Sequence, residues 1–345
     1  MSYTEIDDPT IYFNTKLYTG NGSTGHAITG VGFQPDFLWL KPRSTTGYHR
    51  VFDVVRGAGK QIYPNETNQE NTDTNQMSSF NSDGFTLGNE TGSNANGTSF
   101  VSWNWKANGA GSANTDGSIT STVSANTTSG FSIVSYTGTG SLATVGHGLG
   151  VAPKVILYKN RTSGSTDWGM YHTGLGSNNS YMSINTTNAV SSSTNRFNNT
   201  APTSSVYTIN THATINESSS NFIAYCFAEK KGYSKFGSYT GNGNADGTFV
   251  YLGFKPAFVI FKNSTGANNW NMRDNKRNTY NPTNKNLYPN NSNAEDTAVS
   301  IDFVSNGFKL RDSADTWNGS GNTYIYMAFA ENPFVTSGGI PTTAR

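Results

Sequence analysis

Three stretches of the chain, "LYTGNG" from Leu17, "SYTGTG" from Ser135 and "SYTGNG" from Ser238, are each followed at one fixed distance by a proline and a hydrophobic run. Seventeen residues lead from Tyr18 to Pro35, from Tyr136 to Pro153 and from Tyr239 to Pro256, and six more reach Lys41, Lys159 and Lys262. The runs are "DFLWLK", "KVILYK" and "AFVIFK". Spacing held over such a distance restricts the chain to a repeat architecture, in which one supersecondary unit recurs.

Each copy also closes alike, with "FVSWNWK" from Phe100, "FIAYCFA" from Phe222 and "YIYMAFA" from Tyr324. "SDGFTLG" around Phe85, "VYTIN" around Tyr207 and "SNGFKL" around Phe308 come 15, 15 and 16 residues earlier. The predicted organisation is an N-terminal arm (1–10), a first module (11–108), a polar linker (109–128), a second module (129–232), a third (233–335) and a C-terminal tail (336–345). Small polar residues throughout "GAGSANTDGSITSTVSANTTSG" suggest the linker.

The hydrophobic runs are short, β-branched and aromatic, as expected of strands covered on both faces. The closing strands alternate, with Val101, Trp103 and Trp105 on one face, matched by Ile223, Tyr225 and Phe227 and by Ile325, Met327 and Phe329. No helical stripe is present, and Asn-Gly, Asp-Gly, Ser-Gly and Thr-Gly steps recur every ten or so residues. The expected fold is all-β, a tandem array of three antiparallel β-sandwich modules of jelly-roll or lectin-like type, each self-contained.

Composition excludes several functions. Basic and acidic residues nearly balance, 23 against 22, which argues against a nucleic-acid footprint. A single cysteine, Cys226, excludes an intrachain disulfide or a cysteine-based zinc site. It occupies a place held by Asn104 and Ala328 in the other copies, which reads as filler. "MSYTEIDDPTIYF" lacks a basic, apolar leader, and no run approaches the length of a membrane helix. No signal peptide and no membrane insertion are expected.

Gly20, Gly22 and Gly25 spell G-x-G-x-x-G, a dinucleotide fingerprint only where a helix follows. Here two more glycines and Pro35 follow, and the other copies keep only the first two glycines, so the motif reads as a turn. "RGAGKQ" at 56–61 fails as a P-loop at Val54 and Gln61. The five histidines show no ligand spacing, and "NTDGS" at 114–118 is too short for a calcium loop. No catalytic, metal or cofactor-binding residue is expected. Candidates for ligand binding are Asp53 and Asp274, at equivalent strand positions where the second copy has His172, and Trp168 and Trp270, where an exposed indole could stack on a sugar ring. For each, a structural role is the competing reading.

"YTGNGSTGHAITGVGFQPDFLWLK", "SDGFTLG", "FVSWNWKANG", "ATVGHGLGVAP" and "FIAYCFAEKKG" resemble the repeated modules of structural proteins in marine tailed bacteriophages, including those infecting cyanobacteria and SAR11-type hosts. The resemblance covers nearly the whole chain. It implies an exterior virion protein made in the bacterial cytoplasm, tail-fibre-like or decoration-like, with other virion proteins as partners and host-surface polysaccharide as the contacted ligand; a polysaccharide depolymerase is a further alternative. Fibre habit suggests a homotrimer, although three internal modules could supply threefold symmetry within one chain.

Overall fold

The computed structural model describes residues 3–297 and 301–342. Met1, Ser2 and residues 343–345 of the expected arm and tail lie outside that range. The fold is all-β, and a four-stranded antiparallel unit recurs in each of the spans 11–108, 129–232 and 233–335; in the second it is the middle of an eight-stranded sheet. The first contains β1 (Phe13–Thr19), β2 (Phe37–Pro42), β3 (Arg50–Asp53) and β4 (Ser99–Trp105). The second contains β5 (Phe131–Thr137), β6 (Val155–Asn160), β7 (Gly169–His172) and β8 (Asn221–Phe227). The third contains β9 (Ser234–Thr240), β10 (Phe254–Asn263), β11 (Asn271–Asp274) and β12 (Thr323–Pro333).

Strand order is the same each time: the closing strand lies between the first and second strands, and the third flanks the second. Register repeats as well. Phe37 faces Trp105 and Trp39 faces Trp103; Val155 faces Phe227 and Leu157 faces Tyr225; Phe258 faces Phe329 and Ile260 faces Met327. Every residue of β2 and β6 is buried, which requires cover on both faces.

On the outer face, a small antiparallel sheet or hairpin completes a β-sandwich. In the first span, strands 26–29, 77–81 and 84–87 place Ile28, Met77 and Phe85 against Leu38, Leu40 and Phe100. Strands 143–146 and 206–209 do this in the second span, with Tyr207 buried, and strands 249–251, 301–304 and 307–310 in the third, with Phe308 buried. Cys226 faces the outer core of the second span, and burial pushes its thiol far above the ordinary range.

The inner faces do not belong to separate modules. Phe37, Trp39, Trp103 and Trp105 share one buried cluster with Leu157, Tyr225 and Phe227 and with Phe258, Ile260, Met327 and Phe329. At its centre one ring from each closing strand meets the other two: Trp105–Phe329 at 5.4 Å, Phe227–Phe329 at 5.8 Å and Trp105–Phe227 at 6.4 Å between centroids. Each fully buried ring contributes about 2–3 kcal/mol, and neighbouring spans supply part of the cover over Trp105, Phe227 and Phe329. The expectation of self-contained sandwiches is therefore corrected to three outer cores around one common core.

The linker expectation is corrected too. Residues 112–114 and 121–126 are strands that extend the second sheet beyond β5, and Val123 and Ile119 are buried in its outer core. Small polar residues disguise an edge segment as a flexible one: 112–114 has no buried residue, while Ser121, Val123 and Ser124 of the next strand are buried. The arm is likewise held: Ile6 is buried in the common core, Glu5 pairs its N–H with the Lys231 carbonyl, and Asp7 accepts from the Ser337 N–H of the tail.

Candidate functional site

Trp168 and Trp270 stand one residue before β7 and β11, and His49 holds that place before β3. All three are buried. Trp168 donates its indole N–H to the Tyr63 carbonyl of the first span (2.9 Å), and Trp270 donates to the Ser183 carbonyl of the second (3.1 Å). His49 Nε2 donates to the Tyr288 carbonyl of the third (3.0 Å), while its Nδ1 accepts from the Trp39 indole (2.9 Å). One set of contacts thus runs from the first span to the third, the second to the first and the third to the second, and closes a ring. No indole is open to a sugar, which corrects the stacking expectation.

Asp53 and Asp274 belong to the same ring. Asp53 accepts from the Tyr225 hydroxyl of the second span at 2.7 Å, and Asp274 accepts from the Trp103 indole of the first at 3.1 Å. Each carboxylate also accepts from the arginine three residues on, Arg56 and Arg277. Those arginines reach Glu70 and Glu295, both at 3.3 Å, which in turn pair across the boundary with Arg161 and Arg43, both at 2.8 Å. Both aspartates are buried, so neither is available to an external ligand; this corrects the second pair of candidates.

The boundary between the second and third spans replaces this chemistry at every position. His172 stands for the aspartate, Leu175 for the arginine, Val190 for the glutamate, Ser264 for the cross-boundary arginine and Met327 for the donor ring. The equivalence of Val190 is fixed by the backbone: its N–H donates to the Ser264 carbonyl, as Glu70 does to Arg161 and Glu295 to Arg43. Methionine cannot donate to an acid, and a buried unpaired carboxylate is costly. His172 instead donates from Nε2 to the Tyr326 carbonyl (3.0 Å) and accepts at Nδ1 from the Gly174 N–H (2.9 Å). Burial pushes its pKa down to about 4, against a smaller upward pull from that carbonyl.

The glycine-rich turns are equally self-satisfied. Gly20, Gly138 and Gly241 lie where a Cβ would run into the carbonyl of Ala95, Glu217 or Gly319, and Gly22, Gly140 and Gly243 have φ of +68°, +72° and +65°. Their amides donate inward: Gly20 to the Thr98 carbonyl, Asn21 to the Asn94 side chain and Gly22 to the Asn94 backbone carbonyl. Asn216 and Asn318 do the same for the second and third turns. A strand, His26–Thr29, follows Gly25. With no helix N-terminus and no spare N–H groups at Gly20, Asn21 and Gly22, the turn has nothing to offer a phosphate. These three asparagines were missed by sequence reasoning, yet each lies six residues before Phe100, Phe222 or Tyr324, a spacing that could have revealed them.

Several clefts open at the surface, and two of them are larger than 400 Å³. One, of about 460 Å³, is lined by Tyr3, Glu5, Glu229, Lys235 and Tyr251, with Lys235 Nζ donating to the Tyr251 carbonyl at 2.9 Å. The other, of about 550 Å³, lies at the boundary of the first and third spans around Arg50. Among the described residues, no group of three or more His, Cys, Asp or Glu side chains is placed to hold a metal ion, and no helix is long and apolar enough to cross a membrane.

Fold and boundaries together define an all-β protein in which Asp53, Asp274, Trp103, Trp168 and Trp270 are committed to cohesion between sheets. The chain belongs to the family described as Domain of unknown function (DUF7483), whose model matches residues 8–333 and so takes in all three sheets. No curated protein matches it.

Proposed function

We propose that the chain is a non-enzymatic structural protein on the exterior of a bacteriophage virion, of the tail-fibre or receptor-binding kind, which contacts glycans on the host surface alongside other virion proteins. The observation that carries this reading is the closed ring of boundary contacts. Asp53, Asp274, Trp168 and Trp270, the side chains best suited to chemistry or recognition, are committed to holding sheets together. A particle that persists outside the cell without repair relies on such cohesion. The likeness of the "YTGNG", "SDGFTLG" and "FVSWNWK" motifs to marine tailed-phage modules points the same way.

The ring also favours a second reading, a capsid decoration protein. One ring from each of three equivalent closing strands meets the other two, an arrangement within a single chain that would suit a site of local threefold symmetry on a head shell. Antibody-gold labelling of intact particles separates the two. Gold on tail appendages supports the fibre reading, gold over the head supports decoration, and particles without gold contradict both.

A further inference from the structure

Two of the five histidines reach across a boundary between spans. His49 of the first span and His172 of the second are both buried, and both donate from Nε2 to a carbonyl of the third, His49 to Tyr288 and His172 to Tyr326, each at 3.0 Å. His26, His147 and His212 bond within their own spans. Each boundary of the third span thus contains one imidazole. Among the described residues, no histidine bond crosses the boundary between the first and second spans. There Trp168 meets the Tyr63 carbonyl, Tyr225 meets Asp53, and Lys159 Nζ donates to the Thr67 carbonyl at 2.9 Å.

The second ring nitrogen makes each contact sensitive to protons. An indole or amide N–H can only donate, so Nδ1 of His49, 2.9 Å from the Trp39 indole nitrogen, and Nδ1 of His172, 2.9 Å from the Gly174 amide, must both offer a lone pair. Protonation would bring two hydrogens face to face. Burial opposes a charge on His49, as do Lys41 on β2, Arg277 beyond β11 and Arg50 on β3, and the Tyr288 carbonyl favours it. On His172 burial opposes the charge, and the Tyr326 carbonyl favours it more weakly. The turn Thr173–Leu175, which His172 steadies, lies on β9 of the third span, where a Cβ at Gly174 would come within 3.1 Å of the Gly237 backbone. Losing the Gly174 bond therefore disturbs the boundary itself.

We propose that His49 and His172 are proton-sensitive latches that hold the third span to its two neighbours, and that acid loosens both of its boundaries while the boundary between the first and second spans holds. An opened latch exposes its imidazole, which then takes up a proton near the ordinary value of about 6.5, so the opened form gains as pH falls below that value. Opening also bares Phe258 and Phe329, apolar rings buried in the common core.

Three indoles report one boundary each: Trp168 the first with the second, Trp270 the second with the third, and Trp103 the third with the first. Hydrogen exchange of these N–H groups, followed by NMR on the full chain at about pH 7.5 and about pH 5 and expressed as protection factors, tests the proposal. Protection at Trp270 is expected to fall about thirtyfold, which follows from His172 moving from about 4 to its free value on opening. Protection at Trp103 is expected to fall by about tenfold or more, and that at Trp168 by less than about twofold. His172→Gln and His49→Gln retain a donor and an acceptor but take up no proton, so each should preserve its own reporter, Trp270 or Trp103, in acid.

Equal loss at all three indoles, no loss at Trp103 and Trp270, or a loss in each variant that matches the parent would overturn the proposal. Melting curves check that the variants fold. If one does not, the three indoles of the parent chain decide by themselves.

Discussion

Tyr225 donates its phenolic hydrogen to Asp53 at 2.7 Å, and the two residues are 172 positions apart in the chain. The contact joins the closing strand of one sheet to the third strand of another, and the Trp103–Asp274 bond repeats it at the next boundary. A position that reads along the sequence as a ligand-binding candidate is thus a junction between repeats.

Removing the acid should cost far more than removing its aromatic donor. Asp53→Ala leaves the buried Arg56 with the Val51 carbonyl and, as its acid partner, only the longer contact to Glu70, and losing one partner of a buried pair costs about 3–5 kcal/mol. Tyr225→Phe removes one bond to a charged acceptor, worth about 1.5–3 kcal/mol. Urea unfolding at neutral pH measures both, and an Asp53→Ala loss no larger than that of Tyr225→Phe would contradict the assignment.

The neutral boundary can be converted. His172→Asp alone should bury an unpaired carboxylate opposite Met327 and destabilise by about 3 kcal/mol or more. Adding Leu175→Arg and Met327→Tyr restores the acid, its arginine and the donor ring of the first boundary, though not its glutamate and second arginine, and should recover a good part of the loss. Thermal melts of the single and triple variants decide; equal melting temperatures would show that the three boundaries are not equivalent.

Glycine substitutions separate a packed turn from an exposed one. Gly25→Ala meets open space and suffers only its φ of +82°, a cost of about 1–2 kcal/mol. Gly20→Ala drives a methyl group into the Ala95 carbonyl and must displace backbone, so its cost should be clearly larger. Comparing their denaturant midpoints tests this order, and the reverse order would refute the turn geometry.

Acid should weaken the fold through its histidines. Burial holds His172 at about 4, below the ordinary value near 6.5, and pushes His49 and His147 down as well. Between these limits the unfolded chain binds the extra protons, so stability is retained above about pH 6.5 and lost as pH falls toward 4. For His172 alone the loss is on the order of 3 kcal/mol, and His172→Gln should flatten the profile of unfolding free energy against pH by about one proton. Burial also lowers Lys41 to about 7 and Lys159 and Lys262 to about 8. Stability should therefore rise from pH 7 toward 10, where the unfolded lysines still hold their protons. A profile flat over both windows would contradict these environments.

The repeat spacing, the buried central strands and the alternating closing strands were legible because strand periodicity and turn chemistry are written locally. What covers the inner face was not. Trp103, Tyr225 and Met327 lie on the same face of their strands whether that face meets its own repeat or a neighbour's, so the sequence pattern cannot distinguish three cores from one. For the same reason Asp53, His172 and Asp274 looked like a variable surface position: the residue that explains each substitution lies in another repeat. Asn94, Asn216 and Asn318 were hidden among many asparagines, although their spacing was present.

Expressing residues 109–232 alone, so that the strands at 112–114 and 121–126 stay with their sheet, and recording its amide dispersion and its unfolding transition, tests the common core most directly. The isolated span loses Trp105, Phe236 and Phe329 from around Phe227, and it is expected to lack a cooperative transition as a monomer, or to self-associate through its bared inner face. A monomer with well-dispersed amides and a sharp transition would show that each sandwich stands by itself, and would contradict the shared core.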